Sequence, residues 1–141
     1  MIELMIVVVV IAILAAIAIP YFGDYITRSK VIDATSKLGD VHTDMEKYFM
    51  DNRTYVNGAA CGSNAKIVAL NADPAAAFLL GCAATATTYT VTASGVAAKG
   101  MAGFTYTINE QNIHATTAVS AAKGWSGAPK NCWITRKDGS C

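Results

Sequence analysis

From Leu4 to Ile19 no residue is polar, and the single charge in the first 22 residues, Glu3, stands at the head of that run. A helix of about 20 apolar residues is what a bilayer core accommodates. A carboxylate left unpaired in hydrocarbon costs several kcal/mol or more. The segment therefore needs surroundings that are apolar along its whole length and that answer one negative charge at its end. A partner chain meets both demands. Three other settings compete. A cleaved secretory signal carries a basic n-region, yet no Lys or Arg precedes Arg28, and the apolar run continues past Ala15-Ala16 and Ala18 into Ile19-Pro20. A single-pass anchor accounts for Leu4–Ile19 and leaves Glu3 unanswered. A buried helix of a soluble domain needs more surrounding protein than a chain of 141 residues supplies.

The first boundary follows from this segment: residues 1–23 form a hydrophobic helix for membrane or filament core, and residues 24–141 form one compact domain. Net charge is +1, so no overall field draws nucleic acid or a membrane surface. Four cysteines, Cys61, Cys82, Cys132 and Cys141, all lie in the second part. An even count beyond a membrane-type segment points to disulfides in an oxidising compartment. Of the three connectivities, Cys61–Cys82 with Cys132–Cys141 is favoured because each closes a short loop. Metal binding is the weaker alternative, with no C-x2-C pair and no ligand-like spacing to His42 or His114. No metal and no cofactor is expected.

Beyond Pro20, where a kink or local melting is expected, apolar residues recur at helical spacing: Tyr25, Ile26, Val31, Ile32, Leu38, Val41, Met45, Tyr48 and Phe49. Charged residues fill the gaps, and Asp40, Asp44 and Glu46 read as a solvated face flanked by lysines. The pattern predicts one helix to about Asn52, roughly 75 Å long, with its second half lying against the domain. Residues 53–86 read as a loop region in which Asp73-Pro74 starts a short helix through Leu80. Strands are expected at Thr87–Ala93, Gly103–Glu110 (Phe104, Tyr106 and Ile108 on one side) and Ile113–Val119, with a turn at Asn109–Asn112. A short fourth strand is expected at Cys132–Thr135, followed by a turn at Arg136–Gly139. The fold class is α+β: a long N-terminal helix on an antiparallel sheet of about four strands, ending in a disulfide-bounded loop.

Ile2-Glu3-Leu4-Met5-Ile6-Val7-Val8, followed by Ile13-Leu14-Ala15-Ala16-Ile17-Ala18-Ile19-Pro20, resembles the N-terminal signature of type IV pilins, over about the first 30 residues. Met45-Glu46-Lys47-Tyr48-Phe49 and Asp51-Asn52-Arg53-Thr54-Tyr55 are similar to the PilE-like pilins. Farther on, the layout agrees rather than the sequence. The family normally carries a short basic leader and then Phe-Thr-Leu before Ile-Glu-Leu. Here Met1 stands in the slot of that Leu, so the leader and two mature residues are expected to be missing. No residue is assigned as the N-methylated terminus. Ala12 occupies a slot that is often Gly, and the resemblance implies some loss of helix near Ala15–Pro20 in a filament.

The resemblance implies a structural subunit of a type IV pilus, held in the inner membrane before assembly and extracellular afterwards. It implies a homo-oligomeric helical filament as partner, together with the pilus assembly machinery and prepilin peptidase. Its assembly residues would be Glu3, Leu4, Ile6, Val8, Ile11, Leu14, Ile17 and Pro20, with Glu3 pairing to a neighbour's N-terminal amine as a register device. A pseudopilin of type II secretion shares this N-terminus. A second class of function is DNA capture. Lys123, Lys130, Arg136 and Lys137 crowd the last 20 residues, with Trp125 and Trp133 among them, and cations interleaved with aromatics can hold phosphate and stack bases. Adhesion through the same loop is equally open. An enzyme is not expected, since no nucleophile-elbow, phosphate-loop or metalloprotease spacing is present.

Overall fold

The computed structural model describes residues 2–141, with the side-chain surroundings of residues 17–21 outside the description. Helix α1 runs over Ile2–Asn52, 51 residues, without a break at Pro20. The local melting expected there is absent from the isolated chain. Losing one backbone hydrogen bond is tolerated in a helix whose neighbouring turns remain intact. The C-terminal limit agrees with the expected Asn52.

The apolar stripe of α1 is narrower than the sequence suggests. Val31, Ala34, Leu38, Val41 and Met45 are wholly buried. Their alternating three- and four-residue steps keep one line facing the sheet. Tyr25, Ile26 and Ile32 are exposed instead. Thr27, its hydroxyl donating to the Gly23 carbonyl at 3.0 Å, is the first buried residue of the helix among those described, so the domain covers α1 from about there.

The segment after α1 is not a plain loop. Strands β1 (Val56–Asn57) and β2 (Ala60–Cys61) form a small hairpin, and helix α2 spans Asn64–Asn71. The short helix expected from Asp73 to Leu80 is therefore misplaced. Asp73-Pro74 makes a turn, with the Ala75 amide donating to Asp73 Oδ1 at 2.8 Å and the Ala76 amide to its carbonyl at 3.0 Å. Phe78–Ala84 is strand β3. Asn71 fixes its start from the side: the amide nitrogen donates to the Leu80 carbonyl at 2.7 Å, and its oxygen accepts from the Leu80 amide at 2.8 Å.

Strands β4 (Tyr89–Gly95), β5 (Thr105–Asn109) and β6 (His114–Ala118) continue an antiparallel meander in the order β3-β4-β5-β6. Three lie within a few residues of their expected places. The fourth strand is β3 at the opposite edge, not Cys132–Thr135, which is not a strand; just before it, Lys130 makes an isolated bridge to Thr116. Leu80, Val91, Ala93, Tyr106 and Ile108 alternate inward against the α1 stripe.

The C-terminal segment is held onto β6 by Thr116, which is fully buried. Its hydroxyl donates to the Cys132 carbonyl at 2.6 Å and accepts from the Ile134 amide at 2.9 Å. Tyr106 hydroxyl donates to the Ile134 carbonyl at 3.0 Å, and Trp133 Nε1 donates to the Thr107 carbonyl at 2.9 Å. The disulfides are Cys61–Cys82 and Cys132–Cys141, the short-loop pairing.

Candidate functional site: the bare helix and its neck

The side chains of α1 from Ile2 to Leu14 touch almost nothing. Large apolar residues there are between 49% and 75% exposed. Leu4, Ile6, Val8, Ile11 and Leu14 present a continuous apolar surface all round the helix; Ile17 and Pro20 have side chains outside the description. Among the described residues no helix is long and apolar enough to cross a membrane, while the sequence carries the same run on through Ile19. Glu3 sits in the first turn, and no cation lies within ion-pair distance of it among the described residues. A negative charge there is favoured by the helix dipole. Water tolerates an apolar surface of this extent poorly, and such patches mark contact with lipid or protein.

Where α1 enters the domain, Phe22 and Tyr25 project outward, 65% and 70% exposed. Above them, Asp24, Tyr25 and Arg28 of the helix face Trp125, Thr135, Arg136 and Lys137 of the C-terminal segment across an open groove of ≈ 320 Å³. Lys137 Nζ meets Asp24 Oδ1 at 2.7 Å and ties the end of the chain to the neck.

The four cations expected to gather on the C-terminal segment have separate engagements. Lys123 ends a 3-10 turn, Lys130 Nζ donates to the Gly139 carbonyl at 2.8 Å, and Lys137 is paired with Asp24, while Arg136 lines the groove. Both tryptophans are engaged in packing. Trp125 is buried edge-on against Phe104 with centroids 5.1 Å apart, and Trp133 is stacked on His114 at 3.8 Å. The aromatic part of the expected DNA surface is thus occupied by packing.

At the opposite end of the domain lies a polar cluster that sequence reading took for a solvated face. Glu46 accepts from Tyr55 hydroxyl at 3.1 and 3.2 Å and from Tyr89 hydroxyl at 3.1 Å, and Tyr89 also contacts His42 Nδ1. Burial, with the Glu46 carboxylate beside it, pushes the Tyr55 phenol up to about 12, and the same two causes raise Tyr89 farther. The cluster pins helix to sheet; it has no exposed nucleophile. The signal was the spacing of Glu46 one turn before Phe49, on the edge of the buried stripe.

Residues 20–109 match the family model described as "Type IV minor pilin ComP, DNA uptake sequence receptor". That stretch is well over half of the chain.

The chain belongs to the type IV pilin family.

Among curated relatives, the pilin is 49% identical over 53 residues to "Type IV major fimbrial protein FimA" of Dichelobacter nodosus, covering 38% of this chain and 34% of the relative. It is 44% identical over 59 residues to "Fimbrial protein" of Pseudomonas aeruginosa, covering 42% and 38%. It is 38% identical over 68 residues to "Fimbrial protein EcpC" of Eikenella corrodens, covering 48% and 44%. The pilin thus spans less than half the length of the relatives it matches. Pilins are structural, non-enzymatic proteins.

Proposed function

We propose that this pilin is the subunit of a type IV pilus that assembles through its bare helix. The observation that supports this reading most is the all-round exposure of apolar α1 below residue 15, next to a domain whose own core is complete without it. The chain waits in the inner membrane and then exchanges lipid contacts for sister helices in a filament at the cell surface. The hydrophobic term is roughly conserved in that exchange, so shape packing decides the outcome. Glu3 meets the N-terminal amine of a neighbour and sets the axial register. The test is Glu3→Val in a piliated strain that lacks the native copy. Membrane-held monomer with few filaments is expected; wild-type piliation would overturn the register role.

A second reading is a minor pilin that captures DNA, supported by the match to a family of DNA uptake sequence receptors. In this reading the exposed cations act on phosphate alone, because Trp125 and Trp133 are engaged in packing. Binding would then fall steeply with salt and weaken on Arg136→Ala. Absence of binding to duplex DNA at low salt removes this reading.

A further inference from the structure

The tetrapeptide Ala-Ala-Lys-Gly occurs twice, at 97–100 and 121–124. Both copies fold the same way. Each is a 3-10 turn closed by a glycine in the left-handed region, Gly100 at φ 72° and Gly124 at φ 74°, a conformation that costs a residue with a Cβ more. One turn links β4 to β5 and the other follows β6, so both emerge at the same end of the sheet. A Cβ on Gly100 would lie 3.8 Å from Lys123 Nζ, and Lys30 Nζ donates to the Lys99 carbonyl at 2.9 Å. The two turns therefore stand beside the neck, where α1 leaves the domain.

Arg28, Lys30, Lys99, Lys123, Arg136 and Lys137 all sit at this end. Asp24 neutralises Lys137, and no carboxylate lies within ion-pair distance of the other five among the described residues. Against these six cations the same end carries Asp24 and Asp138, the latter beside Arg136, while Asp44, Glu46, Asp51 and Glu110 lie toward the opposite end. The bare helix dictates what this basic end faces. If the run ending at Ile19 fills the hydrocarbon, Phe22 and Tyr25 stand about 4.5 and 9 Å beyond it. That puts Phe22 in the headgroup zone and Tyr25 at its outer edge, where exposed aromatics anchor. Arg28 and Lys30 follow within about 8 Å of Tyr25, inside one Debye length of the surface.

We propose that the basic neck, with the twin Ala-Ala-Lys-Gly turns as its outer contacts, docks on anionic phospholipid headgroups while the pilin is held in the membrane. This rests on the membrane-held state proposed above. Docking would keep the domain upright on its helix and close the neck until a sister subunit replaces the lipid.

The experiment uses the full chain reconstituted into vesicles of phosphatidylcholine alone or with one third phosphatidylglycerol. Flotation reports insertion, and hydrogen exchange at 97–104 and 121–126 reports docking. Insertion into both vesicle types is expected, with exchange slowed only on phosphatidylglycerol and restored by high salt. Each cation removed should lower the docked-to-undocked ratio about fivefold, as in Lys99→Gln and Lys123→Gln, whereas Lys47→Gln at the far end should change nothing. Flotation with both vesicle types and equal exchange on each overturns the lipid proposal alone. Flotation with neither overturns the membrane-held state and the proposal with it. Slowing by added duplex DNA but not by phosphatidylglycerol overturns it in favour of a nucleic-acid face.

Discussion

Tyr89 on β4 places its hydroxyl 3.1 Å from Glu46 Oε1 on α1, and Tyr55 brings a second phenol to the same carboxylate. Helix and sheet are thus joined by a shared acceptor at the end remote from the bare helix. Tyr89→Phe removes one of these bonds and leaves Glu46 served by Tyr55; a loss of about 1 kcal/mol is expected. Glu46→Ala leaves the buried Tyr55 phenol without its acceptor and Tyr89 with His42 alone, and should cost about 2–3 kcal/mol. Denaturant unfolding of the detergent-solubilised chain gives both values. Equal losses for the two variants would show that the carboxylate does not act as a common acceptor.

Alkaline pH should loosen the same contact. The raised phenols of Tyr55 and Tyr89, and that of Tyr106 raised by burial, stay protonated in the fold when the unfolded chain has already lost its protons. The unfolded state then binds fewer protons, so stability is complete below about pH 10 and falls as pH rises beyond it. For Tyr55 the fall continues to about 12. Unfolding midpoints measured from pH 8 to 11 should be flat at first and then decline, and Tyr89→Phe should make the decline shallower.

The disulfides should contribute unequally. Cys61–Cys82 closes a separation of 21 residues and Cys132–Cys141 one of 9. Chain entropy assigns them about 3 and about 2.5 kcal/mol. Paired Ser variants, compared by denaturation midpoint, test the order. Losing Cys132–Cys141 should also quench the Trp133–His114 stack, visible as a change in tryptophan emission, because that loop is what Thr116 and Tyr106 hold down.

Two glycine substitutions should act in opposite directions. At Gly95 a Cβ would stand 1.9 Å from the Met101 carbonyl oxygen, so Gly95→Ala must displace backbone where β4 turns toward β5. A loss of roughly 2 kcal/mol or more is expected, on the scale of core overpacking. At Gly39, within α1, nothing lies within 4 Å of a Cβ, and Gly39→Ala should stabilise by about 0.5–1 kcal/mol. Thermal midpoints of the two variants decide this.

Periodicity carried most of the architecture. The helix end at Asn52, the inward set Phe104, Tyr106 and Ile108, and both disulfides were readable because burial and loop closure leave local patterns. β3 was not readable. Phe-Leu-Leu-Gly-Cys-Ala-Ala has little β-branched content, and it becomes a strand through Asn71 at its edge, Cys61 across from it and β4 beside it. Ala34 was overlooked in the stripe because alanine signals weakly, whereas Tyr25 and Ile32 were placed in it on hydrophobicity alone. The neck was hidden for a different reason. Its cations come from four stretches of sequence, and only the repeated Ala-Ala-Lys-Gly hinted that two of them belong together.

Neither margin of the large sheet is left open at its middle. Asn71 occupies the outward groups of Leu80 on β3, and Lys130 exchanges 2.8 and 2.9 Å backbone bonds with Thr116 on β6. A second molecule cannot lengthen the ladder there without first evicting a piece of the molecule it joins. A polymer built as proposed above would then be threaded on its rods, with these two ladder positions already taken by the molecule's own chain.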